Sequence, residues 1–138
     1  MKSTAAWVDT GFIVALFAKN DTHHLVATEF LKTTKQLEMH SIWAVIVEAC
    51  FFLNHTGKQA LLQWLERGAI VFHAITPQDI PLIRNTLNKY QSIEPDFTDA
   101  VLVTFADLYK INQILTVDQR DFSIYRLADG NTFNRLWL

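Results

Sequence analysis

The chain has a single cysteine, Cys50, among its 138 residues. An intrachain disulfide is therefore excluded, which agrees with a reducing compartment, and a cytoplasmic protein is expected. Cys50 lies in an apolar stretch and is expected to be a small buried hydrophobe. Glycine and proline are scarce, four and three in number, and they fall singly. No repeat, linker or low-complexity segment interrupts the chain, so one domain over residues 1–138 with a single core is expected. Nor is there an apolar run long enough to cross a bilayer. The nearest candidate, Ala5 to Ala18, carries Asp9 in its middle, where a carboxylate costs roughly 2.5–3.5 kcal/mol on insertion scales. No small-residue cleavage site follows an unbroken apolar stretch, which argues against a secretory leader. A large excess of one charge is missing as well: the formal net charge is −2.

What is present is a periodic pattern of apolar runs. Ala5–Val8 reads as a buried strand and Thr10–Phe17 as the helix that follows, with Asp21 a candidate cap for the next helix. Met39–Ile42 suggests a short strand. Trp43–Leu53 is apolar on nearly every face, which predicts a core helix. Gly57 reads as a stop, Gln59–Arg67 as an amphipathic helix ended by Gly68, and Ala69–Ile75 as a strand. Residues 78–90 are helical in period, Asp99–Tyr109 is a second nearly all-apolar helix, and Ile111–Val117 and Thr132–Leu138 read as strands. Strands alternating with helices predict an α/β protein, a three-layer α/β/α sandwich around a central, mainly parallel sheet. In such sheets ligands bind beyond the carboxyl ends of the strands.

Four acids stand where this pattern calls for apolar residues: Asp9, Glu48, Asp99 and Asp118. Asp and Glu are almost never fully buried unless paired or bound to metal. Each has a plainer explanation alone. Asp9 can cap the helix after it. Asp-Thr-Gly at residues 9–11 is also the aspartic protease signature, but those proteins are all-β, and helical periodicity dominates here. Glu48 can form a buried ion pair with Arg84 or Lys58, at a desolvation cost that is hard to offset. Asp96 and Asp99 can make a capping pair. At positions i and i+3 they also share a helix face. Asp118 and Asp121 can belong to an Asx-turn. Set aside as cation ligands, four acids turn the net charge from negative to slightly positive, so charge balance does not exclude a polyanionic ligand. No histidine or cysteine stands among these segments, which argues against zinc; His23 and His24 read as surface residues of a turn.

Taken together, Asp9 with the apolar run after it, Glu48 within Val45-Ile46-Val47-Glu48-Ala49, Pro95-Asp96-Phe97-Thr98-Asp99 and Leu115-Thr116-Val117-Asp118-Gln119-Arg120-Asp121-Phe122 resemble the PIN-domain family. Within it they resemble VapC-type toxins of toxin–antitoxin pairs, over essentially the whole chain. The resemblance implies a Mg²⁺- or Mn²⁺-dependent endoribonuclease in which Asp9, Glu48, Asp99 and Asp118 hold one or two ions. Asp96 and Asp121 are further candidate ligands, and oxygen-only donors suit such hard cations. Thr10 and Thr116 are candidates to hydrogen-bond a ligand carboxylate or bound water. The nearest basic residues in sequence, Lys19, Lys32, Arg120 and Arg126, are the candidate RNA contacts. The family further implies an antitoxin partner and a homodimer. The alternative is a non-catalytic PIN module that binds RNA or a protein.

Overall fold

The structure is a computed structural model that describes residues 4–138. One sheet of five strands lies at its centre: β1 (Thr4–Val8), β2 (Leu37–Ser41), β3 (Ile70–Phe72), β4 (Gln113–Leu115) and β5 (Asn134–Arg135). The order is β3-β2-β1-β4-β5, and every pairing is parallel. Seven α-helices accompany it: α1 (Thr10–Phe17), α2 (His24–Thr33), α3 (Trp43–Cys50), α4 (His55–Glu66), α5 (Ile80–Lys89), α6 (Phe97–Tyr109) and α7 (Gln119–Ile124). No described helix is long and apolar enough to cross a membrane.

In β1, Ala6, Trp7 and Val8 are all fully buried. Successive side chains point to opposite faces, so both faces of the central strand are covered by helices, as parallel sheets require. Trp7 turns toward α6, where its ring meets Phe105 and Tyr109, and its indole N–H donates to the Ile111 carbonyl at 3.1 Å. The remaining helices divide into groups: α1 packs against α2, α3 and α4, whereas α5 packs on α6. Beside Trp7, buried His40 is satisfied by Glu38 at 2.6 Å and by His73 at 2.8 Å. With the Glu38 carboxylate accepting from His40 Nε2, Nδ1 is left to accept from His73 Nε2.

Several boundaries depart from the periodic reading. The helix at Trp43 buries only Val45, Ile46 and Ala49; Trp43 and Val47 are exposed, and Cys50 is half-buried rather than enclosed. A helix packed against one layer covers one side of its circumference, so an all-apolar sequence still leaves a face in water. Gly57 does not stop a helix but lies in the first turn of α4, where the Asn54 side chain accepts its N–H at 2.8 Å. Position 23 caps α2, and Asp21 instead accepts the His23 N–H at 2.9 Å. His24 is half-buried, its Nδ1 2.8 Å from the Ala15 carbonyl. The outer strands are only two or three residues long, and α7 forms where a simple turn is expected.

The topology fixes where a ligand can enter. From β1 the chain moves to β2 and β3 on one side and returns to β4 and β5 on the other. The sheet thus changes direction between β1 and β4, and a crevice opens beyond their carboxyl ends. Asp9 follows β1 directly, and Thr116 follows β4. Gly11 makes the approach of these two ends close: a Cβ there would lie 2.3 Å from Val117 Cγ2 and 3.3 Å from its Cβ. An unhindered helical Gly→Ala change adds up to about 1 kcal/mol of stability. Gly11→Ala is instead expected to lower stability by about 1–3 kcal/mol, the usual cost of overpacking, read from the urea midpoint. A stabilised variant would contradict the close packing of α1 against Val117.

Candidate active site

Asp9 is the N-cap of α1, and both of its oxygens are held. Oδ1 accepts the Thr10 N–H at 2.8 Å, and Oδ2 accepts from the Thr116 hydroxyl at 2.8 Å. That hydroxyl oxygen also accepts the Asp118 N–H at 2.9 Å. Thr116 therefore ties the end of β1 to the N-cap of α7. Glu48 reaches the same place from α3, its Oε1 accepting from the Thr10 hydroxyl at 2.8 Å. Neither Arg84 nor Lys58 pairs with it, so the ion-pair alternative fails among the described residues, and Glu48 is half-buried rather than enclosed.

The third and fourth acids arrive on other helix starts. Asp96 caps α6, accepting the Asp99 N–H at 2.8 Å, so the capping geometry is real. It does not prevent Asp99, one turn in, from facing the crevice: Asp99 is buried, and the Tyr125 hydroxyl donates to its Oδ2 at 3.3 Å. Asp118 caps α7 and accepts the Asp121 N–H at 3.0 Å. The result is a cavity of about 470 Å³ lined by Asp9, Thr10, Glu48, Asp96, Asp99 and Asp118, with Phe51 and Phe52 as its apolar wall. Asp121 lies beside this lining, and carboxylate oxygens of Asp99, Asp118 and Asp121 all fall within 4.8 Å of one another.

Burial and mutual repulsion show in the proton affinities. Asp99 is pushed up to about 8, first by burial and then by the charges of Asp9, Asp96 and Asp118. Asp9 is raised to about 6, chiefly by burial, although the hydrogen bonds from Thr10 and Thr116 oppose the shift. Asp121 is raised as well, by desolvation and by Asp118. Tyr125 is driven far up by burial and by Asp99, so it stays a hydroxyl donor. The donor set consists of carboxylates and hydroxyls with no lining nitrogen or sulfur, and three carboxylates converge. This fits a hard divalent cation such as Mg²⁺ or Mn²⁺ and does not fit zinc.

The basic candidates separate. Arg120 is exposed and close enough to Asp121 to oppose its shift. Lys19 lines a groove that shares Phe52 with the acid cavity. The sequence places Lys32 and Arg126 near the site; the structure corrects Lys32 and shows one arm of Arg126 engaged locally. Lys32 stands with Thr4, Leu37 and Gln113 at the opposite, amino ends of the strands and bonds Glu29 at 3.3 Å. Arg126 Nη1 donates to the carbonyls of Ser123, Ile124 and Tyr125 and so closes the end of α7. Sequence reasoning missed Tyr125, which nothing in its local sequence marks, and it placed Phe51 and Phe52 in the core.

A parallel sheet with a carboxylate pocket at its switch point defines an α/β protein whose donor set fits hard cations. The chain belongs to the PIN-domain family, whose model matches residues 6–129. It is 26% identical over 129 residues to ribonuclease VapC26 of Mycobacterium tuberculosis, covering 91% of this chain and 96% of that protein. It shares its fold with the crystal structure of the M. tuberculosis sarcin–ricin loop cleaving toxin VapC20, at a TM-score of 0.73 and 21% identity, over 83% of this chain and 91% of that one.

The raised carboxyls give a signed expectation. Asp99 titrates near 8 in the fold and near 4 unfolded, so the folded state holds the extra proton between these values. Stability of the metal-free protein therefore falls as pH rises from about 4 to 8. Asp99→Asn is expected to flatten this fall, to raise the melting temperature in EDTA at pH 8, and to reduce the stabilisation that Mg²⁺ gives. A variant less stable than wild type in EDTA at that pH would identify Asp99 as an ordinary structural carboxylate.

Proposed function

We propose that this protein is a Mg²⁺- or Mn²⁺-dependent endoribonuclease that hydrolyses RNA phosphodiester bonds and serves as the toxin of a toxin–antitoxin pair. The observation that carries the reading is the convergence of Asp99, Asp118 and Asp121 within 4.8 Å, beside Asp9 and Glu48, in an open cavity beyond the strand ends. Two similar proteins agree: one is a ribonuclease, the other a sarcin–ricin loop cleaving toxin. A homodimer, an antitoxin partner and a cytoplasmic location belong to the same proposal.

Asp9, Glu48, Asp99 and Asp118 would hold the cation, with Asp121 within reach of it and Asp96 at its margin. Bound there, the cation supplies Lewis acidity for phosphoryl transfer and a charge that offsets the crowded carboxylates. The chain's own groups do the positioning. Thr116 fixes one oxygen of Asp9 and, through the Asp118 N–H, the start of α7. Thr10 fixes Glu48 through its hydroxyl and Asp9 through its backbone N–H. Tyr125 holds a proton on its oxygen and keeps Asp99 in one orientation. No side chain needs to act as a nucleophile, and the cavity lining contains no Ser, Cys or His that would be placed to do so.

Cleavage of purified RNA should stop in EDTA and return with Mg²⁺ or Mn²⁺. Asp9→Ala and Asp99→Ala should each abolish it. Thr116→Val removes an orienting bond but no ligand, and should reduce it roughly 10–100-fold. Wild-type rates from Asp99→Ala, or activity that survives exhaustive chelation, would overturn the assignment.

A further inference from the structure

Two phenylalanines stand in water where the fold has no use for them. Phe51 and Phe52 are 80% and 69% exposed. The turn that carries them is shaped without their side chains. Backbone bonds from Phe51 to Glu48, from Phe52 to Ala49 and from Leu53 to Cys50 continue the coil of α3 by one turn. Buried Ala49 and Leu53 anchor it on either side, and Asn54 then starts α4 by capping Gly57. Gly57 in turn lies against the Phe17 carbonyl, where a Cβ would come within 2.9 Å. The two rings are thus carried on a fixed support.

Their place is specific. Of the eight residues that line the acid cavity, six are carboxylates or a threonine, and the other two are Phe51 and Phe52. A phosphodiester that reacts at the carboxylates brings its nucleosides with it. The bases cannot rest on anionic carboxylates, and the phenyl rings are the lining that offers them a π-face. Phe52 also borders the neighbouring groove of about 640 Å³, where Lys19, Asn20, His24 and Asn54 supply one cation and several hydrogen-bonding groups. A strand leaving the acid cavity past Phe52 would enter that groove with its next phosphate near Lys19.

Resting on the nuclease reading above, we propose that Phe51 and Phe52 form a stacking platform for the base beside the scissile phosphate, with Lys19 receiving the adjoining backbone. A base in a duplex is already stacked on both faces, so the platform selects an unpaired nucleotide, in a loop or a single strand. A peptide is the other conceivable occupant of exposed phenyl rings. The nucleotide is favoured because the rings share one cavity with the carboxylates at which the phosphodiester reacts.

The test begins with wild-type cleavage of total cellular RNA and mapping of the cut. An oligoribonucleotide spanning the mapped site, with 2-aminopurine beside the scissile phosphate, then serves as probe. Phe51→Ala and Phe52→Ala are expected to raise KM about tenfold, within the range for loss of one base–aromatic stack, while kcat changes far less. Phe51→Trp should retain wild-type KM, and Phe51→Leu should not. In an Asp99→Asn background, binding should quench 2-aminopurine, and Phe51→Ala should remove the quench. Mn²⁺ affinity should be equal in wild type, Phe51→Ala and Phe52→Ala, which reports an intact pocket. Equal KM in wild type and both alanine variants overturns the platform and leaves the nuclease standing. Full rescue by Phe51→Leu, or an effect confined to inhibition by a partner protein, overturns it too. A wild type that cuts no RNA overturns the nuclease reading itself.

Discussion

Carboxylates placed together at the ends of β1 and β4 repel one another, and the local structure is arranged to hold them there. Its central link is the Thr116 hydroxyl, which donates to Asp9 and accepts from the Asp118 backbone. Through this one oxygen, the strand that opens the chain is tied to the helix that follows β4. Burial, and after it the remaining repulsion, stays visible in the raised proton affinities of Asp9 and Asp99. A divalent cation would offset the repulsion, so the same crowding that strains the metal-free site would favour the cation.

Capping and ligand roles are not alternatives here. Asp9, Asp96 and Asp118 each cap a helix with one oxygen, and that bond fixes a side chain that also lines the cavity; in Asp9 the second oxygen is oriented in turn by Thr116. The starts of α1 and α6 also bring the positive ends of two helix dipoles to an anionic site. A capping bond therefore pre-orients the carboxylate as well as ending the helix cleanly. Asp99 and Glu48 make no such cap; Tyr125 and Thr10 orient them instead.

Much of this was legible in the sequence. Alternating apolar runs gave the parallel sheet, and an acid interrupting a run was a sound sign for Asp9 and Asp99, both buried in the fold. The same logic overreached at Glu48 and at Phe51 and Phe52. Periodicity cannot tell an enclosed helix from one that leaves an apolar face in water, and α3 is of the second kind. Proximity in sequence misplaced Lys32, because α2 carries it back to the amino ends of the strands. Arg126 commits one arm of its guanidinium, Nη1, to carbonyls at the end of α7. Tyr125 had no signal at all, since its role depends on the end of α7 meeting Asp99 of α6, a contact that no local pattern announces.

The central claim is that these acids form one cation site, and a crystal soaked in Mn²⁺ tests it most directly. Anomalous difference density is expected within the cavity, within coordination distance of carboxylate oxygens of Asp99 and Asp118, and lost in crystals of Asp99→Asn. An empty cavity at millimolar Mn²⁺, with Mn²⁺-supported RNA cleavage by the same preparation, would contradict it.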